Sequence, residues 1–199
     1  LAPLAHQPGL LLGKAYFLKG EEGEAERTFE EVLEQARREP SARSADRVAL
    51  GAVAIYHYHL RWEEALRWAE RIGDGSVRER IRAGILSRIG RNAEAYEAAR
   101  KAIALNQHDT RAYANMGASL YQLKRYAEGE EVVRQGIAID PGDFRLHHVL
   151  SGLLEDTGKL DVAIEEGRKA IDLDGTHGYN FSSLGRLYLQ LGDLRSAFE

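Results

Sequence analysis

The chain has 199 residues, of which 44% are hydrophobic and 29% charged, so it has room for a sizeable core. Its formal net charge of -4 gives no overall reason to expect binding to nucleic acid or to an anionic membrane. No run of residues approaches the roughly 18 apolar residues of a membrane span. The absence of cysteine excludes disulfides, thiolate metal sites and a cysteine nucleophile.

The first predicted helix contains Leu12, Gly13 and Tyr16, whose i, i+1, i+4 spacing places them on one helix face. A second predicted helix carries the small residue Ala25, twelve residues after Gly13. Pairs of small residues with the same twelve-residue spacing recur along the chain. The first members are Gly13, Val53, Ala83, Gly117, Ser151 and Gly185, of which only Val53 is larger, and the second members are Ala25, Ala65, Ala95, Gly129, Ala163 and Ala197. Successive first members are 40, 30, 34, 34 and 34 residues apart, and a period near 34 with two helices per unit is typical of a solenoid.

The small residues indicate close contact between the two helices of each pair. A glycine inside a helix costs roughly 1 kcal/mol relative to alanine. The helices can contain Gly117 and Gly129 because the missing side chain lets two helices pack closely, and this packing offsets the lower helix propensity of glycine.

In chain order, the period predicts repeats near 6–39, 46–75, 76–109, 110–143 and 144–177, followed by an incomplete one at 178–199, all within a single solenoid domain. Six extra residues lie at 40–45, where Pro40 is expected to end the second helix. About four residues are missing near "RIGDGS" at 71–76. These changes predict an irregular second repeat. The irregularity indicates either a widened groove or ordinary sequence drift within a repeat array. Gly20, Gly90, Gly158 and Gly192 are expected to end helices in the left-handed conformation.

With "LLLGKAYFLKGEEGEAERTFEEV", "YANMGASLYQLKRYAEGEEVVRQGIAIDP" and "FSSLGRLYLQLGDLRSA", the chain resembles the tetratricopeptide repeat family over nearly its whole length. The resemblance implies an all-α fold, a right-handed superhelical solenoid of antiparallel helix pairs. The chain starts without methionine and stops inside an apparent helix, so we expect a fragment of a longer protein. The excess of arginine over lysine, 21 to 6, favours a bacterial source.

Catalytic chemistry finds little support in the sequence. His57 and His59 are two residues apart and point to different helix faces, as do the adjacent His147 and His148, so no pair has metal-ligand spacing. His147 occupies an aromatic position of the repeat and is expected to be buried. No phosphate loop or nucleophile motif is present. We therefore expect no enzyme activity, no cofactor and no metal.

The family resemblance implies that the first helices line a concave groove through fixed repeat positions. These positions contain seven cations against two anions, Glu155 and Asp156, which favours an acidic or carboxylate-bearing ligand. The candidate groove residues are Lys14, Arg47, Arg80, Arg88, Arg111, Asn115, Tyr121, Gln122, Arg145, His148, Tyr179 and Arg186.

One subfamily clamps the C-terminal carboxylates of heat-shock chaperones, and its pattern implies five positions here. Arg80, Asn115 and Arg145 suit that pattern, whereas Gly84 and Val149 depart from it. A chaperone adaptor is therefore not predicted.

The function predicted is a scaffold that binds a protein or peptide ligand in the groove, without nucleic acid and without a membrane span. The alternative is a regulatory or targeting module of a larger enzyme or cell-envelope assembly protein. A cytoplasmic location is slightly favoured and a periplasmic one stays open. The incomplete sixth repeat predicts exposed apolar surface around Leu184, Leu187, Tyr188 and Leu194, and self-association through that end.

Overall fold

The computed structural model describes residues 6–39, 41–176 and 178–192 of the chain, without the side chains of Ala42, Tyr179 and Asn180. Within these residues the secondary structure is helical and contains no strand. The helices are α1 Gln7–Leu18, α2 Glu22–Arg37, α3 Ala42–Tyr58, α4 Trp62–Ala69, α5 Gly75–Arg88, α6 Asn92–Leu105, α7 Thr110–Gln122, α8 Tyr126–Ile139, α9 Phe144–Asp156, α10 Leu160–Leu173 and α11 Gly178–Leu191. The chain divides into two compact units, residues 1–85 and 86–199.

The first unit is built around three large aromatic side chains. Phe29 is fully buried on α2, and its ring meets those of Tyr56 and Trp68 edge to face, each at 5.8 Å between centroids. Glu26, also on α2, accepts hydrogen bonds from the Tyr56 hydroxyl at 2.6 Å and from the Trp68 indole at 3.1 Å. The polar tips of the two buried rings are thereby satisfied inside the unit.

The second unit stacks helix pairs through α6–α11. Each pair, α7 with α8 and α9 with α10, is joined by a short turn and packs side by side, so its two helices run antiparallel. Helix α8 also packs on α9, and α10 on α11, which continues one core from pair to pair. The all-α fold of paired helices is confirmed.

Close helix contact explains the helical glycines. A Cβ at Gly117 would stand 2.3 Å from Val133 Cγ2, and one at Gly13 would stand 2.3 Å from Phe29 Cε1. Each glycine therefore makes room for a side chain of its partner helix sixteen residues later. Gly129, the small residue predicted to face Gly117, instead makes room for Leu153 of the next pair, at 2.9 Å. The predicted close approach is confirmed, but its partner is a large side chain and not the second small residue.

The first helices of the repeats end in one shared backbone conformation. Gly20, Gly90, Gly158 and Gly192 have φ angles of 80°, 79°, 76° and 82°, as predicted for left-handed helix ends. The corresponding turns of the other two predicted repeats hold Leu60 and Lys124, with φ of 60° and 58°. An L side chain in this region costs roughly 1–2 kcal/mol, so packing and not residue preference sets the turn there.

We expect Gly158→Ala to lower the free energy of unfolding by about 1–2 kcal/mol, because only its φ of 76° opposes a side chain. A Cβ at Gly158 would meet nothing within 4 Å, so a steric cost is absent. The matched control is Gly23→Ala in α2, where a Cβ also meets nothing and φ is ordinary. Urea denaturation of both variants measures the difference, and equal losses would contradict the expectation.

The second predicted repeat differs from the others in helix length. Helix α3 begins at Ala42, so residues assigned to the insertion at 40–45 extend this helix at its N-terminus. Helix α2 ends at Arg37, before Pro40. Helix α4 has 8 residues where α6, α8 and α10 each have 14, so the missing residues shorten the second helix. The boundaries of the repeats themselves stay a prediction.

A buried hydrogen-bonded pair, His147 and Glu166, joins α9 to α10. His147 is 6% exposed, and its Nδ1 lies 2.6 Å from Glu166 Oε2, while its Nε2 lies 2.9 Å from the Pro141 carbonyl oxygen. Lys169 Nζ donates to the second Glu166 oxygen at 2.7 Å. Burial alone would raise the pKa of Glu166, but the hydrogen bonds from Lys169 and His147 lower it below its ordinary value of 4.5. His147 is therefore buried as predicted, with a carboxylate partner that was not predicted.

The apolar surface predicted at the C-terminal helix is partly wrong. Leu187 and Tyr188 are buried, because they face back onto the core of the second unit, where Arg168 Nε donates to the Tyr188 hydroxyl at 2.7 Å. Leu184 is half-buried, and Leu194 lies outside the described residues. The exposed large apolar side chains of α11 are Phe181, Leu189 and Leu191. Self-association through this end stays a prediction.

Candidate functional site

A pocket of about 240 Å³ lies in the second unit, between the first helices of successive pairs. Its lining comes from the last turn of α5 and from α7, α9 and α11: Ser87, Ala118, Tyr121, Gln122, His148, Val149, Ser151, Gly152, Glu155, Ser183 and Arg186. Four of these are candidate groove residues of the sequence analysis, Tyr121, Gln122, His148 and Arg186, and Glu155 was predicted as a groove anion. Helical spacing brings them together, since Ala118 and Gln122 lie one turn apart on α7, as do His148 and Gly152 on α9.

The pocket exists because small residues line it. Ala118, Ser151, Gly152 and Ser183 leave space between helices that larger side chains would fill. A Cβ at Gly152 would stand 3.9 Å from Tyr121 Cε2, which is ordinary contact across the cavity. The apolar part of the lining is the Tyr121 ring together with Ala118 and Val149.

An ion pair stands at the pocket between α9 and α11. Arg186 Nη2 donates to Glu155 Oε2 at 2.8 Å, and Gln190 Nε2 donates to Glu155 Oε1 at 2.8 Å. The Glu155 side chain is 6% exposed and the Arg186 side chain 56% exposed. Glu155 is thus buried with both oxygens engaged, while the guanidinium remains accessible.

Tyr121 connects the pocket wall to the end of α9. Burial and the nearby Asp156 carboxylate raise the pKa of Tyr121 above its ordinary value of 10.0. The rings of Tyr121 and Tyr126 lie 5.9 Å apart. The Tyr121 phenol therefore stays protonated at neutral pH.

The cations predicted for the groove differ in their availability. Arg88 and Arg111 are exposed, and neither has an ionic or hydrogen-bonding partner among the residues that the structure describes. Arg111 lies on the α7 face that also carries Ala118 and Gln122. Asn115, on the same face, is half-buried and takes part in further polar interactions.

Arg145, predicted as a groove cation, is paired with Asp143, and its contact with a ligand stays a prediction. Its Nε lies 3.0 Å from Asp143 Oδ1, and its Nη2 donates to Asp143 Oδ2 at 3.1 Å. Asp143 is the N-cap residue of α9 and also accepts from Thr110 Oγ1 at 2.7 Å. Arg145 therefore stabilises the start of α9, because a buried N-cap carboxylate needs a counter-charge.

Three predicted groove residues belong to the first unit. Lys14 and Arg80 are half-buried, and Arg80 takes part in further polar interactions. Arg47 is exposed, and its Nε donates to the Arg43 carbonyl at 3.3 Å. The side chain of Tyr179 lies outside the described residues.

The residues that sequence reasoning missed are mostly small. Ser87, Ala118, Gly152 and Ser183 all occupy the repeat positions taken as groove-lining. They were passed over because candidates were chosen for charge, hydrogen bonding or aromatic rings. The small residues at these groove-lining positions could have indicated a cavity, because they leave space between the helices.

Membrane-spanning helices and metal clusters are not found in the described part of the chain. No helix there combines the length and hydropathy that crossing a bilayer requires. The same residues contain no group of three or more His, Asp or Glu side chains arranged to hold a metal ion.

Comparisons with known proteins identify a family match within the second unit. Residues 90–153 match the family model described as "Tetratricopeptide repeat". The BBSome complex member BBS4 of Bos taurus is 32% identical over 114 residues, which are 56% of this chain and 21% of that protein. The chain thus spans about a fifth of this relative's length.

Solved structures match over more of the chain. TTC0263, a thermophilic TPR protein of Thermus thermophilus, has a TM-score of 0.67 at 20% identity, covering 79% of this chain and 86% of that one. MamA from Desulfovibrio magneticus has a TM-score of 0.59 at 22% identity, covering 77% and 89%. YrrB, titled a TPR protein with an unusual peptide-binding site, has a TM-score of 0.58 at 19% identity, covering 96% and 93%.

Proposed function

We propose that this chain, whose residues 90–153 match the tetratricopeptide repeat family, is a protein-interaction scaffold that binds an acidic or carboxylate-bearing segment along the α7–α9–α11 side of its second unit. The observation that carries the proposal is the pair of exposed arginines, Arg88 and Arg111. Arg88 follows the pocket-lining Ser87 in the sequence, and Arg111 lies two helical turns before Ala118 on the same face of α7. Neither has a partner among the described residues, so their charges are available to a ligand.

Further support comes from the preorganised surroundings. The pocket lies on helices whose turns and glycine contacts fix their positions, so little side-chain or loop ordering accompanies binding. The relatives add a coarser argument, because BBS4 is named as a member of a complex and YrrB is titled with a peptide-binding site.

We expect Arg88→Glu with Arg111→Glu to reduce capture of the partner from the source organism's lysate by at least about tenfold, because two attractive charges become repulsive. Helicity and melting temperature should stay unchanged, since both side chains are exposed. The matched control reverses Arg100 and Lys101, which are exposed on the second helix α6. Mass spectrometry of the captured proteins decides the outcome. Equal recovery by the groove variant and the control would place the binding site elsewhere.

A further inference from the structure

Of the Glu155 and Arg186 side chains that line the pocket, Arg186 keeps free donors, whereas both oxygens of Glu155 are occupied. Both Glu155 oxygens are already engaged, by Arg186 and Gln190, and the side chain is 6% exposed. Asp156 is exposed and is not among the residues that line the pocket. Arg186 is 56% exposed and carries five N–H donors, of which its contact with Glu155 uses one. A negatively charged ligand group next to this pocket therefore finds a cation to bind, and the carboxylate that lines the pocket is already occupied.

The buried carboxylate also fixes where that cation lies. Arg186 has a long side chain, and binding through a mobile one costs ordering entropy. The 2.8 Å contact with the buried Glu155, which Gln190 holds from its other oxygen, keeps the guanidinium at the pocket before a ligand arrives. A planar guanidinium fixed on one edge can still bind a carboxylate through its remaining N–H groups.

The size of the pocket limits what enters beside that cation. A volume of about 240 Å³ is below the 300–1,000 Å³ of cavities that hold whole drug-sized ligands. Its apolar wall of Ala118, Val149 and the Tyr121 ring suits one aliphatic side chain.

We propose that the α7–α9–α11 pocket binds a single leucine-sized side chain from a residue whose own carboxylate, or that of the adjoining residue, is bound by Arg186. A peptide ending in an aliphatic residue has this chemistry, and so does an aliphatic residue next to Asp or Glu. The proposal rests on the proposed function, since it specifies the segment that the second unit binds. It can be tested without the partner, so its failure is distinguishable from failure of the capture experiment.

The test uses four small probes on the full chain, with amide chemical shifts as the readout. N-acetyl-leucine presents both features, N-acetyl-leucinamide lacks the charge, N-acetylglycine lacks the side chain, and leucinamide replaces the anion by a cation. We expect N-acetyl-leucine to bind about tenfold more tightly than each of the other three, because each lacks one charge-assisted hydrogen bond or one buried side chain. The shifts should centre on Gly152 and Tyr121. Stronger binding of leucinamide, equal binding of all four probes, or no binding of any would overturn the proposal.

Substitutions at Arg186 and Gly152 test which residues bind the carboxylate and the side chain of the probe. Arg186→Gln should bring the ratio of N-acetyl-leucine to N-acetyl-leucinamide affinity to about one, whereas Arg100→Gln, at an exposed arginine also paired with a glutamate, should leave it unchanged. Gly152→Leu should weaken both leucine probes by at least about tenfold by filling the cavity. Gly152→Ala adds one methyl group that reaches only ordinary contact with Tyr121, so this variant should stay folded and fill the pocket partly. An unchanged ratio in Arg186→Gln, or unchanged binding in both Gly152 variants, contradicts the assignment.

Discussion

Gly117→Leu is expected to destabilise the second unit by about 1–3 kcal/mol or more, because the first added carbon alone would stand 2.3 Å from Val133 Cγ2 and 3.2 Å from Val149 Cγ1. Val133 is fully buried, so neither it nor the helix pair can move aside without disturbing the core. Thermal unfolding followed by circular dichroism measures the loss, at roughly 2–4 °C per kcal/mol for a chain of this length.

The matched control is Gly23→Leu in α2, where an added Cβ meets nothing within 4 Å. It is expected to be neutral or slightly stabilising, since leucine is a better helix former than glycine. A second arm combines Gly117→Ala with Val133→Ala, which should lose less than the sum of the two single changes because the clash is relieved. Equal melting temperatures for Gly117→Leu and Gly23→Leu would show that the two helices do not meet as described.

His147→Leu is expected to cost about 3–5 kcal/mol, because it leaves the buried Glu166 carboxylate without one partner and the Pro141 carbonyl without a donor. Glu166→Leu should cost a similar amount by leaving the His147 ring unpaired in the core. Lys169→Ala should cost no more than about 1 kcal/mol, since that side chain is 53% exposed. Urea denaturation of the three single variants measures these differences.

The double variant His147→Leu with Glu166→Leu separates burial of charge from packing. Removing both charged groups should cost much less than the two single changes added together. A pH series adds a second readout. The lowered pKa of Glu166 gives stability that is present above its ordinary value of 4.5 and is lost as the pH falls through the folded value. This acid-induced loss should be smaller in the double variant, and additive costs together with an unchanged pH profile would mean that the pair is not coupled.

The helix pairs could be predicted from the sequence because their signal is local and repeated. Small residues every 34 positions, and glycines such as Gly90 and Gly158 where a helix must end left-handed, leave few alternatives. Leu60 and Lys124 carry no such mark, so their left-handed turns follow from the packing of helices already formed. The contact of Gly117 with Val133 was missed for a related reason, since periodicity gives the face of a helix but not the depth to which a neighbour enters it.

The site was harder to predict because tertiary contacts decide whether a charged side chain is open to a ligand or already paired within the protein. Arg145, Arg186 and Arg111 are the same residue type in equivalent helices, yet the first stabilises an N-cap, the second is fixed by a buried glutamate and the third is free in the described structure. The identity of those partners depends on side chains from other positions and other helices. The buried His147–Glu166 pair likewise joins residues 19 positions apart, and neither helix pattern alone distinguishes it from an apolar contact.

The sixteen-residue contact also constrains how this chain can diverge. Gly13 with Phe29, Gly117 with Val133 and Ser151 with Gly167 each combine a small partner with whatever the facing position contributes. Packing constrains the combined side-chain volume of the two positions. Each residue can change as long as that combined volume is kept. A substitution that enlarges one member is tolerated only after the other has shrunk, so accepted changes at these sites arise in coupled pairs. Across descendants of this sequence, covariation between positions sixteen apart should therefore be stronger than conservation at either one.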